Sequence, residues 1–150
     1  MKPAQRLVRI VSLLLALAAP GMALCAPLVK VWKDPNCGCC TGWIEHMKKA
    51  GFDVQVVNGG HAEAQKRLGV PEKLGSCHTA EVDGYAIEGH VPATDIERLL
   101  REHPKAVGLA APGMPLGAPG MDDPAYGGKK TPYDVLLIDA QGGSTVFAHH

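Results

Sequence analysis

Three cysteines fall within four consecutive positions, Cys37-Gly38-Cys39-Cys40, and the flanking residues fix where that cluster sits in a fold. Upstream, Leu28 to Trp32 (LVKVW) is short, apolar and β-branched, the pattern of a buried strand. Asp34-Pro35-Asn36 reads as a turn. Downstream, Thr41 to Ala50 places Trp43, Ile44, Met47 and Ala50 at helical spacing, with Gly51 where a C-terminal cap belongs. The cluster therefore lies at a strand-to-helix junction. Unsatisfied N–H groups and the helix dipole stabilise thiolate there. Cysteines this close together make a poor structural staple, because a disulfide gains most by closing a long loop. They suit a metal or redox site.

The rest of the chain supplies the frame. Phe52 to Val57 alternates as a second strand, and His61 to Leu68 is a short helix ended by Gly69 and Pro71. Thr79 to Val82 and Tyr85 to Glu88 flank Asp83-Gly84, the strongest short hairpin signal. Pro92 to Asp95 opens a helix carrying Ile96, Leu99 and Leu100 on one face, and His103-Pro104 ends it. Residues 104–132 are rich in Gly and Pro and carry Met114 and Met121, which predicts a long irregular loop. Tyr133 to Asp139 and Ser144 to Phe147 form a C-terminal β-hairpin across Gln141-Gly142-Gly143. The core order β-α-β-α-β-β-α predicts an α/β fold of the thioredoxin/glutaredoxin-like kind, a sheet with flanking helices. Such folds keep their active cysteines where this chain has its cluster.

Residues 1–26 are set apart. Lys2, Arg6 and Arg9 precede an apolar run, Ile10 to Ala19, which Pro20-Gly21 breaks before small residues near Ala23 to Ala26. That is a cleavable signal peptide, too short to span a bilayer. Cys25 invites a lipoprotein reading, but Leu24 stands where a lipobox wants a small residue. Residues 27–150 are then a single exported domain, expected in the periplasm. Losing three of 15 basic residues leaves 12 against 15 acidic ones, a net charge of −3 with histidine neutral. That balance gives no footprint for nucleic acid, and no later run is apolar enough for a membrane span.

Cys77 gains its weight from position. In a glutaredoxin-like chain, the residues just before the third strand pack on the active cysteines and usually include a cis-proline. Here that place reads Gly75-Ser76-Cys77-His78-Thr79, a soft ligand and no proline. His90 follows the hairpin at a corner facing the same place. Met114 and Met121 lie outside any core periodicity, and thioether selects Cu(I) as thiolate does. Cys37, Cys39, Cys40, Cys77, His90, Met114 and Met121 are therefore the candidate metal ligands. His78 ranks lower because strand alternation points it away from Cys77. His46 also ranks lower, two helical turns from Cys39. Met47 belongs to the core, and the terminal His149 and His150 are assigned no role. A copper site, a zinc site and a metal-free thiol-disulfide oxidoreductase using Cys37 and Cys40 all remain open. The extra cysteines and the missing proline favour copper. Adjacent Cys39 and Cys40 are expected not to share one tetrahedral metal without strain. Bridging thiolates, and hence more than one Cu(I) per chain, are expected instead.

These motifs resemble the CopG-type family of periplasmic copper-resistance proteins, formerly catalogued as a domain of unknown function. The resemblance rests on Cys37-Gly38-Cys39-Cys40 with Trp43, on SCHTAEVDGYAIEGHVPATDIERLL at residues 76–100, and on GLAAPGMPLGAPGMD at 108–122. It implies a thioredoxin-like fold, copper as the bound metal, and a place among periplasmic copper-handling proteins as partners. Redox cycling between Cu(I) and Cu(II) and simple sequestration share every one of these residues.

Overall fold

The computed structural model describes residues 26–150. Apart from Ala26, the signal-peptide reading and Cys25 lie outside the described residues. The elements are β1 (Leu28–Lys33), α1 (Gly38–Lys49), β2 (Asp53–Asn58), α2 (His61–Arg67), β3 (His78–Val82), β4 (Tyr85–Gly89), α3 (Ala93–Glu102), β5 (Gly108–Ala111), β6 (Asp134–Ile138) and β7 (Ser144–His149). They build a mixed α/β domain around one seven-stranded sheet of order β2-β1-β3-β4-β5-β6-β7.

β1 pairs parallel to β2 and antiparallel to β3, and β3 pairs antiparallel to β4. The β3–β4 turn is made by Asp83 and Gly84, both at positive φ (48° and 80°), as a two-residue hairpin requires. The sheet is larger than the sequence predicts. Gly108–Ala111, expected inside an irregular loop, is a strand that pairs parallel to β4 and antiparallel to β6. It carries the C-terminal hairpin, β6 and β7, onto the same sheet. The irregular connection therefore runs only from Pro112 to Tyr133, anchored by a strand at each end.

The two faces divide the core. Trp43, Ile44 and Met47 of α1 and Ile96 and Leu99 of α3 bury one face together with Val29, Val31, Ala80 and Ile87. On the other face, α2 packs on β1 and β3, and Val70 and Leu74 cover Ala86, Ala110 and Ile138. β4 is buried along its whole length, because it sits mid-sheet with cover on both sides. Tyr133 and His150 tie the start of the hairpin to its end, stacked and joined by two backbone hydrogen bonds.

Candidate metal centre

α1 begins inside the cysteine cluster, one turn earlier than its apolar spacing predicts. Cys37 is its N-cap, and the sulfur takes the place of the usual hydroxyl or carboxylate by accepting from the Cys40 N–H at 3.3 Å. Cys39 and Cys40 thus stand in the first turn. Their helix is held from below by Trp43, whose Nε1 donates to the Val91 carbonyl at 2.8 Å in the core.

Cys77 sits at a bend just before β3 and meets this turn. Its Sγ is 3.7 Å from that of Cys39 and 3.5 Å from that of Cys40, and Cys39 is 3.4 Å from Cys37. All four sulfurs lie within 4.8 Å of one another. The first helical turn, with Cys77 facing it, gathers Cys39 and Cys40 into one group of sulfurs. Cys37 and Cys40 are joined as a disulfide, and Cys39 and Cys77 are free. Burial first, then the neighbouring Cys39, pushes the Cys77 thiol up to about 12, so at neutral pH it keeps its proton.

His90 is fully buried beside Cys77, with Nε2 at 3.1 Å from the sulfur. Its Nδ1 lies 2.8 Å from the Pro119 carbonyl, which only accepts, so the proton sits on Nδ1 and the Nε2 lone pair faces Cys77. Burial lowers its pKa and keeps the ring neutral. His78 departs from the expectation that alternation turns it away from Cys77. Alternation governs β3, which starts at His78, but Cys77 lies in the bend before it, so the rule does not link the two. His78 Nδ1 is 3.5 Å from Cys77 Sγ, its ring packs on Trp43 at 4.6 Å between centroids, and burial depresses its pKa strongly.

The Pro112–Tyr133 connection folds back over α1. Gly113 N donates to the Gly75 carbonyl at 3.0 Å, and the Ser76 hydroxyl donates to the Gly113 carbonyl. Gly120, at φ +82°, lies so close to the helix that a Cβ on Gly42 would fall 2.8 Å from its Cα. Met114 and Met121 consequently line a cavity of about 600 Å³ with Cys39, Asp122, Asp123 and Tyr126. Met121 is buried and Met114 is 54% exposed.

The structure does not bring His46 to this group. Its Nε2 accepts from the Ala93 N–H at 3.0 Å and caps α3, and burial lowers its pKa. His149 and His150 pair with Asp134 and Asp95. Sequence reasoning misses Glu88. It is fully buried, accepting from Ser76 N and from the Thr79 hydroxyl, each at 2.7 Å, so it clamps the bend that presents Cys77. Its only sequence signal is a carboxylate in an otherwise apolar strand.

Thiols, thioethers and imidazole make a soft donor set of the kind Cu(I) prefers, and it fits copper better than a hard cation. The cysteines are also close enough for thiol-disulfide exchange.

Comparisons with known proteins agree with this chemistry. Residues 74–121 match a family described as a protein of unknown function, DUF411. No curated protein matches the chain. Two solved structures titled copper resistance protein CopG are similar. Form 2 is 42% identical, covering 83% of this chain and 98% of its own, with a TM-score of 0.75. Form 1 is 44% identical over 82% and 96%, with the same TM-score of 0.75.

Proposed function

The chain belongs to the CopG family of copper resistance proteins, and from that premise we propose that it is an exported copper-binding protein acting in periplasmic copper homeostasis. The observation that carries the reading is the convergence of Cys37, Cys39, Cys40 and Cys77 within 4.8 Å at a helix N-terminus. With the disulfide reduced, the four sulfurs hold more than one Cu(I) as a thiolate-bridged cluster. His90 or the methionines cap it. When bound, copper supplies one-electron chemistry between Cu(I) and Cu(II).

The chain's own part is to hold and shield. The first turn of α1 gathers Cys39 and Cys40, Pro119 orients His90, and the Met-bearing connection covers Cys39. The strand order β2-β1-β3-β4 with helices on both faces supports a thioredoxin-like core for the first four strands, enlarged by β5 to β7. Among the described residues no helix is long and apolar enough to cross a membrane.

A second reading has one observation in its favour. The Cys37–Cys40 disulfide is the state in which a metal-free thiol-disulfide oxidoreductase would rest. Anaerobic Cu(I) titration of the reduced protein against a competing chelator separates the two. Two or more coppers per chain, fewer in Cys77→Ser, are expected. Absent copper binding with facile Cys37–Cys40 oxidation would transfer the assignment to the oxidoreductase.

A further inference from the structure

Joining Cys37 to Cys40 withdraws two thiolates from the four-sulfur group, yet one donor set remains complete: Cys77, His78 and His90 each offer a ligand atom, all within 4.8 Å of one another. Both imidazoles are fully buried, and their rings meet edge-on at 5.0 Å between centroids. His90 presents its free Nε2 to the sulfur because Nδ1 is committed to Pro119.

His78 is the telling member. Its Nδ1 lies 3.5 Å from Cys77 Sγ and so reaches the same sulfur as His90 Nε2. Ligation through Nδ1 leaves the ring proton on Nε2, and a backbone hydrogen bond with Gly89 helps to fix the ring. A phenyl ring would pack on Trp43 equally well but would offer this group no donor.

Resting on the copper reading above, we propose that Cys77, His78 and His90 form a second, inner metal site that shares Cys77 with the four-sulfur group and survives the Cys37–Cys40 disulfide. One thiolate with two imidazoles is a harder set than four thiolates, and it is the donor combination that accommodates copper as Cu(II) as well as Cu(I). The centre then has an outer sulfur compartment selective for Cu(I) and an inner one that retains a single ion when the outer compartment is oxidised.

The test uses Cys37→Ser/Cys40→Ser protein, which fixes those positions as non-thiolate, and Co(II) as the probe because it does not oxidise thiols. One Co(II) per chain is expected. A thiolate charge-transfer band should accompany it, and Co K-edge absorption should resolve one sulfur and two imidazoles. Adding Cys39→Ser should leave the affinity unchanged, whereas adding His78→Gln should lower it at least tenfold. No Co(II) uptake, two sulfurs, or a single imidazole overturns the inner site. The ligand count is taken on protein with His78 intact, so it stands even where the His78 variant misfolds. Failure of reduced wild-type protein to take up Cu(I) would sink the outer cluster by a separate measurement.

Discussion

Glu88→Gln in the metal-free protein converts the buried clamp into a pH readout. In the folded chain burial raises the carboxyl from 4.5 to about 7, outweighing the two hydrogen bonds from Thr79 and Ser76 that pull the other way. The unfolded chain releases the same proton near 4.5. Between those values the folded state binds more protons than the unfolded one, so stability falls as pH rises through the window and levels off above it. At about 1.4 kcal/mol per pH unit, the gap amounts to about 3 kcal/mol lost by pH 8. His78 and His90 act oppositely. Held neutral by burial, they weaken the fold as pH drops below their ordinary 6.5. Both histidines are present in parent and variant, so they cancel in the difference. Gln keeps the shape, still accepts from Ser76 N, and leaves the Thr79 hydroxyl free to donate to the His61 carbonyl, 3.3 Å away. Urea unfolding at pH 4.5, 6, 7 and 8 is the assay. The two proteins should be nearly equal at the acid end, with the variant more stable by about 3 kcal/mol at pH 8. Parallel profiles would mean that Glu88 is ionised without penalty and that the burial argument is wrong.

Trp43→Phe removes the donor to the Val91 carbonyl and leaves that acceptor buried, a loss of about 1–3 kcal/mol measurable by urea denaturation; undiminished stability would refute the anchoring role. Gly120→Ala forces a side chain onto a positive φ, against the Cys39 backbone carbonyl and to within 2.6 Å of the Trp43 backbone nitrogen. Left-handed strain of about 1–2 kcal/mol, before any clash, should loosen the Met-bearing connection and weaken Cu(I) binding about tenfold in a chelator competition, with fold and thiol count intact.

Much of this centre is legible in the residues, for a physical reason: the helix and strand patterns around the cysteines are strongly periodic, and they place Cys77 and His90 at one end of the sheet. The misses come from tertiary effects. Gly108-Leu109-Ala110-Ala111 has no strand-like alternation and becomes β5 because β4 and β6 offer it paired edges. Pairing with β5 sets β4 inside the sheet, where Glu88 lies opposite Ala110 and is buried. The start of α1 is hidden because a cysteine sulfur, not an ordinary capping side chain, receives the Cys40 N–H of the first turn. Strand alternation, applied across a strand boundary, turns His78 away from a sulfur that its Nδ1 in fact lies beside.

The dispersal of the donors along the chain has a consequence for chain entropy. Cys77 lies 37 residues beyond Cys40, and the Pro119 carbonyl that orients His90 lies 29 beyond that histidine. An unfolded chain can offer only short local chelators, the Cys37–Cys40 stretch and the adjacent Cys77-His78 pair, because bringing these together with the other donors would require closing long loops. Folding closes those loops through the sheet, so the full donor set exists only in the native state. Copper held by that set is then a folding ligand, adding about 4 kcal/mol at a free concentration a thousand times its Kd. Loaded protein should resist proteases that wait for global opening, while the empty chain remains open to clearance.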